Sequence, residues 1–333
     1  MNQTYPLRID AYAHIIPPKY KEMLHKVCPE EHDTKIVPFP ALWDLDERFR
    51  IMDRYGELMQ VITLGWPPIE AIAGPEKAAE LSKMVNDEMA ELVHRYPSRF
   101  IAGIAHLPMN NMDAAMKELD RAIIDLRLRG VQIYSPVNDK PLDSDEFWPL
   151  YEKLESYDLP LFIHPMRMGP DYKNEKTSKY MIGAIFGWPY ETTAAMTRLV
   201  FSGVLEKYPE LKIVTHHAGG MIPYYADRLV EFMDQSEMRF YEKRNLTKAP
   251  ITYFKKFYAD TAIYGNTPAL MCAHAFFGDE HLVFGIDMPL GDSTLGYRNY
   301  RQTINAIDAM SISDEQKKKI YEDNARALMR LSI

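Results

Sequence analysis

LRIDAYAHI, from Leu7 to Ile15, is an apolar run of strand length that ends beside a histidine, His14. Seven further runs of the same kind follow. They are Met59–Trp66 (MQVITLGW), Phe100–His106 (FIAGIAH), Gly130–Tyr134 (GVQIY), Leu161–His164 (LFIH), Lys212–His217 (KIVTHH), Phe257–Thr261 (FYADT) and Leu282–Asp287 (LVFGID). Segments with apolar residues at three- and four-residue spacing lie between them, most clearly Asp113–Leu128 and Thr192–Tyr208, and a last helix is expected at Asp314–Leu331. Strand and helix alternating eight times predict a closed parallel (β/α)8 barrel of the TIM type. An open doubly wound sheet would carry a glycine-rich dinucleotide turn after an early strand, and the sequence has none. With 333 residues and no linker, low-complexity tract or internal repeat, residues 1–333 are expected to form a single α/β domain.

Prolines after several runs (Pro67, Pro108, Pro136, Pro165, Pro289) punctuate the strand ends. Two connections are long, Pro17–Leu45 and Met166–Glu191. Loops that follow barrel strands build the active site, so both are candidates to face a substrate or a second subunit.

The net charge of −8 argues against a nucleic-acid footprint, which needs a basic stripe. Two cysteines, Cys28 and Cys272, make no disulfide framework and fit a reducing cytoplasm. The start of the chain has no apolar stretch of signal-peptide length, and no run approaches a membrane span.

The polar residues inside the strands carry the chemistry. His14, His106, His164, His216, His217 and Asp287 all fall at the C-terminal ends of their runs; only Asp10 and Asp260 do not. A barrel gathers those ends into one ring. Burying so many titratable groups without partners would cost several kcal/mol. A divalent metal held by imidazole and carboxylate removes that cost. Zinc is the first expectation, with manganese or iron as alternatives, and no organic cofactor is implied.

Tyr12 and His14 are two apart and share a strand face. His216 and His217 are adjacent and face opposite ways unless the strand has ended. GVQIY offers no Lys or Glu to bridge two ions. His106, His216 and His274 could hold a second ion only by another arrangement. Arg167, three residues after His164, could pair with a substrate carboxylate or be a solvated loop charge. Trp66, Phe186, Trp188 and Tyr134 could line an aromatic pocket or fill the core. Glu191 suits the start of the following helix. No phosphate loop, nucleophile elbow or Cys-x-x-Cys is present.

Four motifs in order carry a family resemblance. DAYAH (Asp10–His14) resembles the strand-one metal motif of the amidohydrolase superfamily, whose common form is His-x-His. FIHP (Phe162–Pro165), HAGGMIP (His217–Pro223) and FGIDMP (Phe284–Pro289) resemble its strand-five histidine, strand-six stretch and strand-eight aspartate. WPYETT, RLVFSG and YPELKI, beginning at Trp188, Arg198 and Tyr208, are similar to the branch that includes aminocarboxymuconate semialdehyde and γ-resorcylate decarboxylases. The resemblance implies His14, His164 and Asp287 as metal ligands and His217 as the acid/base, with Asp287 able to relay a proton. Trp66, Trp188 and Arg167 are then the candidate substrate contacts, and a homodimer or larger homo-oligomer is implied.

The implied activity is a metal-dependent carboxy-lyase acting on a small aromatic or unsaturated carboxylic acid. A hydrolase or hydratase would use the same metal. Tyr12 is the departure, standing where the first histidine belongs. Its phenol could ligate if ionised from a pKa near 10, which suits iron and oxygen chemistry. It could equally be a neutral hydrogen bonder, or mark a non-catalytic subunit paired with an active one.

Overall fold

In the computed structural model, which describes residues 7–166, 179–234, 246–289 and 297–332, the apolar runs lie side by side in chain order. The strands are β1 (Arg8–Ile15), β2 (Leu58–Leu64), β3 (Phe100–Gly103), β4 (Ala105–His106), β5 (Val131–Ser135), β6 (Leu161–Pro165), β7 (Ile213–Thr215) and β8 (Tyr258–Ala259). Every pairing among them is parallel. β3 and β4 are the two halves of one expected strand. Between them Ile104 donates its N–H back to Ile62 (2.9 Å), and Ala105 donates forward to Gly130 (2.9 Å), so the stave changes partner at that point.

The last expected strand, Leu282–Asp287, closes the ring without a regular ladder. Val283 N–H donates to Ala259, Ala11 N–H to Phe284 and His14 N–H to Met288, at 2.7–2.9 Å. Part of the ladder is replaced by a side chain: Thr261 Oγ1 donates to the Gly285 carbonyl (2.9 Å) and accepts its N–H (3.1 Å). A Cβ on Gly285 would stand 3.0 Å from the Asp260 Cβ and 3.4 Å from the Tyr12 Cβ, so glycine permits the close approach of this stave to its neighbours. Eight staves with helices on the outside make a (β/α)8 barrel.

Alternation along the strands sorts the core. Ile9, Val61, Ala102, Ile104, Phe162, Val214 and Val283 fill the barrel interior, which Ala325, Leu328 and Met329 of the final helix close from below. Ile62, Leu64, Val131, Ile133, Leu161, Ile163 and Ile213 pack outward against the helices. A register shift between Asp10 and Ala13 interrupts β1. There Asp10 accepts from the Tyr300 hydroxyl (2.5 Å), while Tyr12 and His14 sit with ring centroids 5.4 Å apart.

The helices differ from expectation mainly at their ends. The stretch from Trp188 is helical to Phe201, then breaks at Gly203 (φ 84°) and resumes as Val204–Lys207. The first long connection is built rather than loose. It contains the helix Pro18–Val27, whose first turn is held where the Glu88 carboxylate accepts the N–H groups of Lys19 and Tyr20 (2.9 and 2.8 Å). Among the described residues no helix is long and apolar enough to cross a membrane.

One buried cation fastens this first connection to the barrel. Arg48, fully buried on the helix Leu45–Met52, donates to Gln60 Oε1 (2.7 Å), to the His14 carbonyl (2.7 Å) and to the Ala41 carbonyl (2.9 Å). Burial pulls its pKa down to about 10, which still leaves it charged at neutral pH. Arg48→Met keeps much of the volume but strands three acceptors. We expect it to lower unfolding stability by about 3 kcal/mol, read as a fall in the urea midpoint at unchanged slope.

Candidate metal centre

Three histidines and one aspartate meet above the apolar barrel core. His14 at the end of β1, His164 at the end of β6, His216 just past β7 and Asp287 on the closing stave each offer one ligand atom, and these atoms all lie within 4.8 Å of one another. His14 Nε2 is 3.1 Å and His216 Nε2 is 3.7 Å from the same oxygen, Asp287 Oδ1. All four side chains are buried, yet His14 Nε2, His216 Nε2 and Asp287 Oδ1 have no hydrogen-bond partner. Orphaned atoms of this kind are costly in a dry interior unless a cation satisfies them.

The opposite ring nitrogens are each fixed. His14 Nδ1 meets Thr63 Oγ1 at 2.9 Å, and Thr63 is the register partner of His14 on β2. His164 Nδ1 donates to the Pro165 carbonyl at 2.9 Å. His216 Nδ1 donates to the Asp260 carboxylate. An imidazole held by one nitrogen presents the other as a lone pair, which is how a metal-binding histidine is oriented.

The charges agree with that reading. Burial lowers the pKa of His14, and it lowers that of His164 well below its ordinary value with His14 and His216 adding to the effect. Burial also works against a charge on His216, but the Asp260 carboxylate outweighs it and the net direction is up. For Asp287 burial would raise the carboxyl; contact with His14 and the field of His216 reverse this and hold it well below the carboxylate range. The set therefore combines an anionic oxygen with the neutral imidazoles of His14 and His164, and with His216, whose Nε2 offers a lone pair once a cation displaces its proton; such donors suit a divalent ion of borderline softness.

His216 and His217 do not alternate as they would in a strand. Pairing ends at Thr215, and the chain turns through left-handed conformations at His217 (φ 58°) and Ala218 (φ 54°). The two rings lie 4.8 Å apart at 29°. Asp260 also accepts the N–H groups of Ala218 (3.2 Å) and Ala262 (3.0 Å), which fastens this turn. The two glycines that follow are required. A Cβ on Gly219 would lie 2.6 Å from the Phe277 ring, and one on Gly220 would lie 2.5 Å from the Pro189 carbonyl.

His217 is buried with its Nδ1 unpartnered, and burial followed by the neighbouring His216 lowers its pKa to about 4. The Trp188 indole stacks over it at 6.2 Å. Tyr12 lies flat on His216, 3.8 Å away at 3°, with its hydroxyl buried and unpartnered and its pKa pushed well above the ordinary value by burial. Asp287 itself has a left-handed backbone (φ 62°) and accepts a 3.3 Å bond from the Tyr264 hydroxyl.

The other sequence candidates are distributed differently. Trp66 Nε1 donates to Glu31 Oε2 of the first connection (2.5 Å). Arg167 lies outside the described residues. Tyr134 stands between His164 and His106, with ring centroids 5.0 and 5.7 Å away, and His106 faces Glu70 at 3.9 Å, one layer from the cluster. His274 pairs with Asp279 (2.9 Å) on an outer helix, so His106, His216 and His274 do not converge on a second ion. Phe186 is 60% exposed. Glu191 opens its helix as expected and accepts from Ser135 Oγ (2.9 Å). The sequence marked His216 only as a strand-end histidine that could serve a second ion, and set Asp260 apart from the ring; the structure brings His216 among the ligand atoms and Asp260 against its Nδ1.

The sequence profile of the family described as amidohydrolase matches residues 9–331. A γ-resorcylate decarboxylase from Polaromonas sp. is 30% identical over 86% of this chain and 87% of its own. Among solved structures, 5-carboxyvanillate decarboxylase from Sphingomonas paucimobilis superposes with a TM-score of 0.85 at 25% identity, covering 98% of this chain and 99% of that one. A dihydroxybenzoic acid decarboxylase from Polaromonas sp., solved with manganese and the inhibitor 2-nitroresorcinol, gives 0.77 at 26% identity over 97% of both chains.

Asp260 touches no lone pair of the cluster but orients His216. Asp260→Asn preserves its size and removes its charge. We expect metal affinity to fall roughly 10- to 100-fold in a chelator competition, with the far-ultraviolet circular dichroism unchanged.

Proposed function

The chain belongs to the amidohydrolase family, and on that premise we propose that it is a metal-dependent decarboxylase of a small aromatic carboxylic acid. The observation that carries the reading is the convergence of buried His14, His164, His216 and Asp287, with His14 Nε2, His216 Nε2 and Asp287 Oδ1 left without hydrogen-bond partners. These four would hold the ion. Imidazole and carboxylate donors accept zinc, manganese or iron(II); zinc remains our first expectation, and manganese is the ion in one of the similar structures. When bound, the ion supplies a positive charge that fixes and polarises an oxygen of the substrate.

The chain's own groups account for the rest. Loss of CO2 from an aromatic acid requires a proton delivered to the ring carbon that bears the carboxylate. The carbon–carbon bond then breaks, its electron pair returns to the ring, and CO2 departs. His217 is placed for the transfer: it neighbours the cluster, its Nδ1 is free of hydrogen bonds, and Trp188 covers one face. Buried and neutral in the resting site, it gains a proton most readily when an anionic substrate is brought beside it. Asp287, anionic and next to His14, can relay that proton. Trp188 offers a flat surface for an aromatic ring, and Trp66 and Arg167 remain proposed substrate contacts.

Tyr12 does not empty the site. Its ring supports His216 by stacking, and we propose that it stays a neutral phenol while His216 completes the ligand set. We further propose that residues 1–333 act as one catalytic domain, in the cytoplasm, and as a homodimer or larger homo-oligomer.

The test is CO2 release from γ-resorcylate and 5-carboxyvanillate by the metal-loaded protein. Asp287→Ala should lose the ion of this centre and, with it, the release. His217→Asn should keep the metal while kcat falls by roughly 10²- to 10⁴-fold. Tyr12→Phe should keep both metal content and visible spectrum. Hydrolysis of an ester or amide with no CO2 from any aromatic acid would move the assignment to a hydrolase of the same family.

A further inference from the structure

A second group of metal-type donors lies away from the barrel mouth cluster, on the first long connection. His25 occupies the last turn of the helix Pro18–Val27, and His32 and Asp33 begin the helical segment His32–Ile36. His25 Nδ1 is 3.1 Å from His32 Nδ1, His32 Nδ1 is 2.8 Å from Asp33 Oδ1, and His25 Nδ1 is 3.7 Å from the same oxygen. Hydrogen bonding does not explain the triangle well. A single hydrogen on His32 Nδ1 can serve one of its two neighbours, and the third atom is left facing a lone pair.

The three separations are those of a coordination face. Ligand atoms bound at about 2.0–2.1 Å to a tetrahedral ion lie roughly 3.3–3.4 Å apart. The observed edges of 2.8, 3.1 and 3.7 Å bracket that value. His32 is the enclosed member, its side chain 12% exposed, while His25 and Asp33 are 56% and 61% exposed. The fourth position therefore opens to solvent, where water completes the shell.

We propose that His25, His32 and Asp33 form a separate divalent-metal clip, with Zn²⁺ as a fitting ion, that pins the first connection in its folded form. The backbone around it shows what the clip would hold. His25 rides on a helix anchored at Lys19 and Tyr20 to Glu88. The segment after His32 is tied at Ile36, whose carbonyl accepts from Trp43 Nε1 (3.2 Å). Between the two histidines lies Glu31, whose carboxylate receives the Trp66 indole. A metal joining His25 to His32 closes a short loop around Glu31 and so fixes the partner of Trp66 at the end of β2.

The site is distinct from the one assigned to catalysis, and the two can be read separately. Zn²⁺ is titrated into apo protein, with bound metal counted by elemental analysis after gel filtration and indole fluorescence followed in parallel. The expected result is about two equivalents per chain for the wild type. His32→Ala and His25→Asn should each lose one equivalent and keep the one that Asp287→Ala removes. The fluorescence change that accompanies the second equivalent should be absent in Trp66→Phe. Three results would overturn the clip: Asp287→Ala protein that binds no zinc, His32→Ala protein with the metal content of the wild type, or a second equivalent that survives both His25→Asn and His32→Ala. Asp287→Ala protein that keeps both equivalents would fail the catalytic assignment and leave the clip standing.

Discussion

A carboxylate buried among imidazoles sets the terms for the rest of the structure. Asp287 Oδ1 faces the Nε2 atoms of both His14 and His216 and makes no hydrogen bond. A folded chain does not leave such atoms in a dry interior without compensation. An ion held by the four side chains, as proposed above, would supply it. What the protein must then provide is position, because the ligands come from opposite sides of the barrel.

Position is supplied by groups that never meet the ion. Thr63, Asp260 and the Pro165 carbonyl each fix one ring nitrogen of a ligand histidine. Arg48 grips the His14 carbonyl and so ties the end of β1 to the first connection. Asn86 does the same for the broken third stave, where its amide both donates to and accepts from the backbone of His106 (3.0 and 2.8 Å). Left-handed backbone at His217 and Asp287 turns both side chains toward one region, and the tightness of Gly219 and Gly220 keeps that turn from relaxing. The stability spent on strain is local; the apolar rows beneath supply the rigidity that holds it.

The barrel was legible because its signal is collective. Eight apolar runs, each followed by helix-period sequence, leave few alternatives, and six polar residues at the same ends of those runs mark the face that carries chemistry. Individual residues were harder to read. The alternation rule separates His216 from His217 only while a strand lasts, and β7 ends at Thr215 because the next residues bend around Asp260. Asp260 itself looked like an outlier in FYADT; its role is set by His216, 44 positions earlier, and no local pattern records such a pairing. Trp66 shows the opposite limit. Its place at a strand end pointed to substrate, while its indole hydrogen bond goes to Glu31 on the short helix Pro29–Glu31 of the first connection.

The stacking of Tyr12 on His216 offers a way for the proposed centre to accommodate its departure from the family pattern. A tyrosine in the first strand-one position is only a weak ligand unless it ionises, and burial together with the nearby carboxylates opposes that. An imidazole from β7 can reach the same centre because the strand stops one residue early. Its Nδ1 then needs a fixed acceptor, which Asp260 provides, and its ring needs a flat neighbour to hold its plane, which the phenol provides at 3.8 Å. Tyr12 and His216 are therefore physically linked. A histidine restored at position 12 would compete with His216 for the centre, whereas a smaller side chain there would leave the His216 ring without support on one face. In the reading proposed above, Tyr12 acts on the metal through the orientation of its neighbour.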